Sequence, residues 1–226
     1  MNTSDALERY EAVSRPWRLL LVDDHPMLRR GVRDLLSLEA DLVIAGEAGS
    51  GQEAIQLAQE LQPDLILLDL NMRGMDGLMT LQAMRDADID ARILIFTVSD
   101  DQDDLVAAIR AGADGYVLKD SDPALLVRYI RDVLEGQTAV SDRLAAKLAQ
   151  ALRMPVDVTQ RTLEALTRRE QQILRLIARG MSNKMIAREL DIAEGTVKVH
   201  VKNLLKKLGM RSRVEVAVWT LEHKLG

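Results

Sequence analysis

The stretch DLILLDLNMRG, residues 64–74, sets four consecutive apolar residues, Leu65 to Leu68, directly before the carboxylate of Asp69. An unbroken apolar run of this length reads as a strand covered on both faces, as in a parallel sheet. A bare carboxylate is costly to bury without a partner. Asp69 at the end of such a strand therefore calls for a cation.

Similar runs lie on either side: LLLVDD (19–24), LVIAGEA (42–48), RILIFTV (92–98) and GYVLK (115–119). Segments with helical apolar spacing separate them, such as Met27, Leu28, Val32, Leu35 and Leu36. Five strands alternating with helices predict parallel crossovers and a doubly wound α/β sheet. A last helix from Pro123 to Glu135 stops at Gly136. Residues 137–162 read as a linker with a short helix, 142–153, broken by Pro155. Beyond it the pattern is all-helical, with helices expected near 167–179, 183–190, 194–208 and 212–224. The domains are thus a flexible N-terminal extension (1–17), an α/β domain (18–136), the linker (137–162) and a helical domain (163–226).

Bulk composition agrees. The chain has 226 residues, 47% hydrophobic and 29% charged, as expected of globular domains. Cysteine is absent, which removes disulfides and thiolate metal sites and fits a reducing compartment. No stretch has the ~20 apolar residues of a membrane span. The first 16 residues are polar and mixed in charge, without the apolar core of a signal peptide. A cytoplasmic protein that does not engage the membrane is expected. The net charge of −5 is unevenly placed: residues 163–226 hold 13 Lys/Arg against 7 Asp/Glu, a net +6, which leaves −11 for the rest. The basic piece is a nucleic-acid candidate.

In a parallel open sheet, ligands sit beyond the carboxyl ends of the strands where strand order reverses. Asp23 and Asp24 end the first strand and Asp69 ends the third. In the flavodoxin-like order 2-1-3-4-5 these strands are neighbours, so three carboxylates converge. Alone they would repel; Mg²⁺, which accepts carboxylates, waters and phosphate oxygens, removes the conflict. Thr97 ends the fourth strand and Lys119 the fifth. A nucleophilic acid, a hydroxyl donor and an ammonium are the parts for phosphoryl transfer to Asp69.

With VDDHPMLRRG, LDLNMRGMDG, FTVS and ADGYVLKD in this order, residues 18–136 resemble the receiver domain of two-component signalling. The resemblance implies that Asp69 is the phosphoacceptor and that Asp23, Asp24 and Asp69 hold the metal. It also implies that Tyr116 is an aromatic switch, turning inward as Thr97 moves toward the phosphoryl group, and that a sensor histidine kinase is the partner.

In the basic domain, SNKMIARELDIAEGTVKVHVKNLLKKLGM (182–210) has helix-turn-helix spacing over about 183–202. Lys198 and Lys202 share a helix face with Val199. That strip could enter the major groove of double-stranded DNA, with Arg188, Asn203 and Lys206 on the phosphates. Together with LTRREQQILRLIARG and SRVEVAVW, residues 163–226 resemble the four-helix LuxR-type domain of NarL/FixJ regulators. The resemblance implies that Val214, Val218 and Leu221 pair two copies on DNA, that RNA polymerase is a further partner, and that a masked recognition helix is released through the linker. Family members usually carry Ser or Thr where Ala193 stands, so this recognition helix lacks a good N-cap. Across both domains the motifs look most like the nitrate- and nitrite-responsive members, which implies control of anaerobic respiration genes.

The expected function is a phosphorylation-switched transcription regulator and not an enzyme. A Mg²⁺-dependent phosphatase would use similar parts, but its D-x-D-x-T motif would need a second acid at position 71, which is Asn. A module that only dimerises would not need the acids, Thr97 and Lys119. GSGQEA (49–54) formally matches a dinucleotide fingerprint but follows the second strand. His25, His200 and His223 are too scattered to make a metal site.

Overall fold

The computed structural model describes residues 15–137, 139–140, 144 and 166–222, with the side chains of residues 221 and 222 left undescribed. The expected linker helix at 142–153 lies almost entirely outside these residues.

Along the chain run β1 (Trp17–Val22), α1 (Pro26–Leu36), β2 (Leu42–Ala48), α2 (Gly51–Leu61), β3 (Leu65–Leu68), α3 (Gly77–Asp86), β4 (Arg92–Thr97), α4 (Gln102–Ala111), β5 (Gly115–Leu118), α5 (Pro123–Leu134) and β6 (Ala139–Val140). After the linker come α6 (Arg168–Ala178), α7 (Asn183–Leu190), α8 (Glu194–Leu208) and α9 (Arg213–Glu222). The sheet order is β2-β1-β3-β4-β5-β6, and every pairing is parallel. Strand order reverses between β1 and β3, so the carboxyl ends of these two strands open the crevice.

Alternation along each strand builds two apolar layers. Leu20, Val22, Ile66, Leu68, Ile93 and Ile95 pack with α2, α3 and α4 through residues such as Ala54, Leu81 and Ile109. Leu19, Leu21, Leu65, Leu67, Leu94 and Phe96 pack with α1 and α5 through Val32, Leu36, Leu126 and Ile130. Burial on both faces explains why the strands read as continuous apolar runs.

Local chemistry sets the helix ends. Ser50, Asp76, Asp101, Asp122 and Ser182 each accept a backbone N–H in the first turn of the helix they precede. Thr167 and Glu170 form a reciprocal capping box at α6. Gly77 opens α3 where the helix meets the end of β3; a Cβ there would stand 2.6 Å from Leu70 Cα.

The sheet differs from the five-stranded expectation by β6. Gly115 pairs with Ala139 and Tyr116 with Val140. A two-residue strand without β-branched alternation leaves no sequence signal, and only the presence of the β5 edge creates it. Leu144, further along, is fully buried in the α2–α4 layer.

The helical domain has its own core, including Ile173, Ile177, Ile186, Val197, Leu204 and Trp219. Glu170 ties its first helix to its recognition helix. It is buried, and it accepts from Thr167 N and Oγ1 and, at 2.7 Å, from Lys207 Nζ. Burial pushes its carboxyl up, but the hydrogen bonds from Lys207 and Thr167 outweigh this and hold it below the usual range.

Candidate functional site

The carboxyl ends of β1, β3, β4 and β5 bring the acids, Thr97 and Lys119 together. Asp69 N donates to Val22 O and Lys119 N donates to Thr97 O, which locks adjacent strand ends at one level. Asp69 is 2% exposed and Asp23 6%. Lys119 Nζ stands 2.7 Å from Asp23 Oδ2 and 2.8 Å from Asp69 Oδ2. One ammonium therefore serves two buried carboxylates. Asp24 Oδ2 accepts from the backbone N of Arg73.

That leaves the site under-neutralised. Three carboxylates face one lysine. Among the described residues, Asp69 Oδ1 and Asp24 Oδ1 are buried and accept no hydrogen bond. Orphaned buried oxygens of this kind, with carboxylates converging from β1 and β3, fit a hard divalent cation such as Mg²⁺. Ligand atoms of Asp23, Asp24, His25 and Asp69 all lie within 4.8 Å of one another.

Thr97 is fully buried, and its hydroxyl accepts from Asn71 Nδ2 at 3.2 Å and from Ser99 N at 3.2 Å. Tyr116 is fully buried as well, with its hydroxyl donating to Ser99 O at 2.9 Å. The ring thus lies inward in this structure. Burial, joined by the nearby Asp104, Asp101 and Asp100, raises the Tyr116 hydroxyl above its ordinary pKa against the opposing effect of the Ser99 hydrogen bond.

Sequence reasoning did not find Asn71, Ser99 or His25 as neighbours of this site. Asn71 and Ser99 each stand two residues beyond a named group, Asp69 and Thr97, and that offset is the signal that could have found them. His25 immediately follows the two acids, and its Nδ1 lies 2.8 Å from Asp24 Oδ1.

In the helical domain, α7 and α8 form the helix-turn-helix. Lys198, Val199, Lys202, Asn203, Lys206 and Arg188 are all exposed. Val199, an apolar residue 59% exposed on the face between Lys198 and Lys202, has no packing role within its own domain core. This face does not look outward. Lys198, Val199, Lys202 and Lys206 line a cleft of roughly 1100 Å³ together with Asp64, Asp86, Asp88, Asp90 and Asp114 of the first domain, where Arg85 and Arg92 pair with Asp114. Val214 and Val218 on α9 pack into the α2–α4 layer of the first domain. Leu221 belongs to α9, with its side chain outside the described residues. Arg213 is buried between the domains; its guanidinium donates to Asn183 Oδ1 at 3.0 Å and to Met181 O.

Comparisons with known proteins match both halves. The response regulator receiver domain model matches residues 19–131. The model for bacterial regulatory proteins of the luxR family matches residues 164–220. The chain is 50% identical over 210 residues to the nitrate/nitrite response regulator protein NarL of Escherichia coli (strain K12), covering 93% of this chain and 97% of that one. It is 47% identical over 209 residues to NarP of the same strain, covering 92% and 96%. Among solved structures, the response regulator ChrA of a heme-sensing two-component system aligns with a TM-score of 0.51 and 32% identity, over 93% of this chain and 99% of that one. Among the described residues no helix is long and apolar enough to cross a membrane.

Proposed function

The chain belongs to the two-component response regulators with a LuxR-type DNA-binding domain, and from that premise we propose that Asp69 is its phosphoacceptor. The observation that carries this reading is buried Asp69, whose Oδ1 accepts no hydrogen bond, beside a lysine already committed to two carboxylates. Asp69 Oδ1 attacks the phosphorus of a phosphohistidine on a partner kinase. An O–P bond forms as the N–P bond breaks, and the imidazole leaves. Lys119 stays with the acceptor and offsets charge on a phosphoryl oxygen. The Thr97 hydroxyl, which accepts from Asn71 and Ser99, donates its hydrogen to another. Asp23, Asp24 and Asp69 would hold Mg²⁺, which supplies positive charge for the phosphoryl oxygens.

The output is DNA binding by α8, with Lys198, Val199 and Lys202 toward the bases and Arg188, Asn203 and Lys206 toward phosphates. The acids that share a cleft with that face support a reading in which the first domain covers α8 and its release is the switch. Release also frees Val214 and Val218 to meet a second copy on DNA. The regulated genes are those of nitrate and nitrite respiration, by likeness to NarL and NarP, and the protein acts in the cytoplasm.

Intact mass after incubation with acetyl phosphate and Mg²⁺ tests the acceptor. Wild type gains one base-labile phosphoryl group and Asp69→Asn gains none. An adduct of equal yield on Asp69→Asn would overturn the assignment.

A further inference from the structure

One group at the acid cluster has no part in phosphoryl transfer. His25 precedes α1 as its N-cap residue, yet its side chain makes no capping bond. Its ring, 68% exposed, leans back over the acids instead, with Nδ1 2.8 Å from Asp24 Oδ1 and 3.2 Å from Asp23 Oδ1. Nδ1 is also within hydrogen-bonding distance of Asp23 Oδ1, and the ring tautomer decides whether it donates there or offers a lone pair. With the lone pair on Nδ1, the nitrogen stands among the acid oxygens as one more ligand of a shared cation would.

The charge and the spacing agree. Three carboxylates and Lys119 sum to two negative charges, which a divalent ion cancels. The ligand atoms spread over at most 4.8 Å. Small side-chain rotations close that to the ~4.2 Å between opposite ligands of an ion bound at ~2.1 Å. Asp69 Oδ1, in a side chain 1% exposed, has no donor among the described residues and completes the set. Mg²⁺ takes oxygen and keeps its waters, so it has no use for an imidazole. First-row transition cations accept imidazole, with an affinity rising from Mn²⁺ through Fe²⁺ to Co²⁺ and Ni²⁺.

We propose that His25 is a fourth protein ligand engaged only by such cations. The site then holds Mg²⁺ through Asp23, Asp24 and Asp69 alone, and Mn²⁺, Fe²⁺ or Co²⁺ through the same acids plus His25 Nδ1. The inference rests on reading the acid cluster as a metal site, and it is independent of whether Asp69 is phosphorylated.

The test uses the full chain and no phosphodonor. Co²⁺ is titrated by its visible d–d absorption, Mn²⁺ by electron paramagnetic resonance, and Mg²⁺ by competition against Mn²⁺, for wild type, His25→Ala, His25→Gln and Asp69→Asn. Both His25 variants are expected to bind Co²⁺ at least about tenfold more weakly, with an altered spectrum, and Mn²⁺ more weakly by a smaller factor. Their Mg²⁺ affinity stays within about twofold of wild type. Unchanged Co²⁺ affinity and spectrum in the His25 variants would overturn the proposal. So would an equal loss for Mg²⁺, because His25 would then act by steadying the carboxylates. Asp69→Asn separates the two readings: if it weakens all three ions while the His25 variants weaken none, the acid cluster stands as a metal site and only the role of His25 falls. If neither kind of variant changes any affinity, both fall.

Discussion

Lys119 Nζ lies 2.8 Å from Asp69 Oδ2 in a side chain only 9% exposed, and the same nitrogen reaches Asp23. Removing it leaves two buried carboxylates facing each other. Lys119→Met keeps the volume and deletes the charge, so the metal-free protein should lose about 3–5 kcal/mol of stability. Mg²⁺ should restore more stability to this variant than it adds to wild type, because the ion takes over the missing charge. Urea unfolding with and without Mg²⁺ checks both halves, and an equal Mg²⁺ effect on the two proteins would contradict them.

Ala193 has N-cap backbone angles, φ −65° and ψ 144°, but no side-chain oxygen to receive an N–H of the first turn of α8. Ala193→Ser should stabilise the helical domain by about 1 kcal/mol. The gain should appear as a higher Tm, and the backbone N–H of residue 195 or 196 should exchange more slowly with solvent.

Glu215 sits at the start of α9, where burial raises its carboxyl pKa against the opposing pull of Arg211, Arg110 and Ser212. The sign follows from linkage. An acid whose pKa is raised in the folded state binds a proton more readily there than in the unfolded chain. Its penalty is absent below the ordinary value near 4.5 and grows as pH climbs through the raised value. Glu215→Gln should therefore raise Tm at pH 7 and change it little at pH 4. The difference between variant and wild type across this range isolates Glu215 from other titrating groups.

Asp86 and Asp90 are exposed in the cleft that Lys198, Lys202 and Lys206 also line. Replacing both by Lys should set like charges across the cleft, open it, and increase DNA binding by the unphosphorylated protein. Asn at both positions should give a smaller increase. Fluorescence anisotropy with a labelled duplex, across a salt series, measures the effect; identical binding by all three proteins would count against electrostatic closure.

Much of this was legible in the chain. Strands buried on both faces must be apolar at every position, so β1, β3 and β4 stood out and their polar ends marked Asp23, Asp24, Asp69 and Thr97. The helix-turn-helix was legible because its inner face recurs at helical spacing, from Ile186 to Val197 and Leu204. What stayed hidden has no local pattern. The bond from Asn71 to Thr97 spans 26 residues and that from Lys207 to Glu170 spans 37. The bond from the guanidinium of Arg213 to Asn183 spans 30 residues within the helical domain. His25 looked isolated among histidines, since its partners are carboxylates. Helix ends moved by a residue or two where capping geometry, and not apolar spacing, decides.

The short strand β6 changes what the receiver is as an object of study. Ala139 and Val140 cover the backbone of Gly115 and Tyr116, and Leu144 fills a place in the core beyond them. Gly115 has no room for a Cβ, which would stand 2.7 Å from Ala139 O. The beginning of the linker is therefore also the selvage of the sheet. A fragment trimmed after Gly136 would bare the β5 edge next to Tyr116 and empty the place of Leu144. Such a fragment would be stickier and less stable than the intact domain, so a receiver cut for isolated work has to run past Leu144.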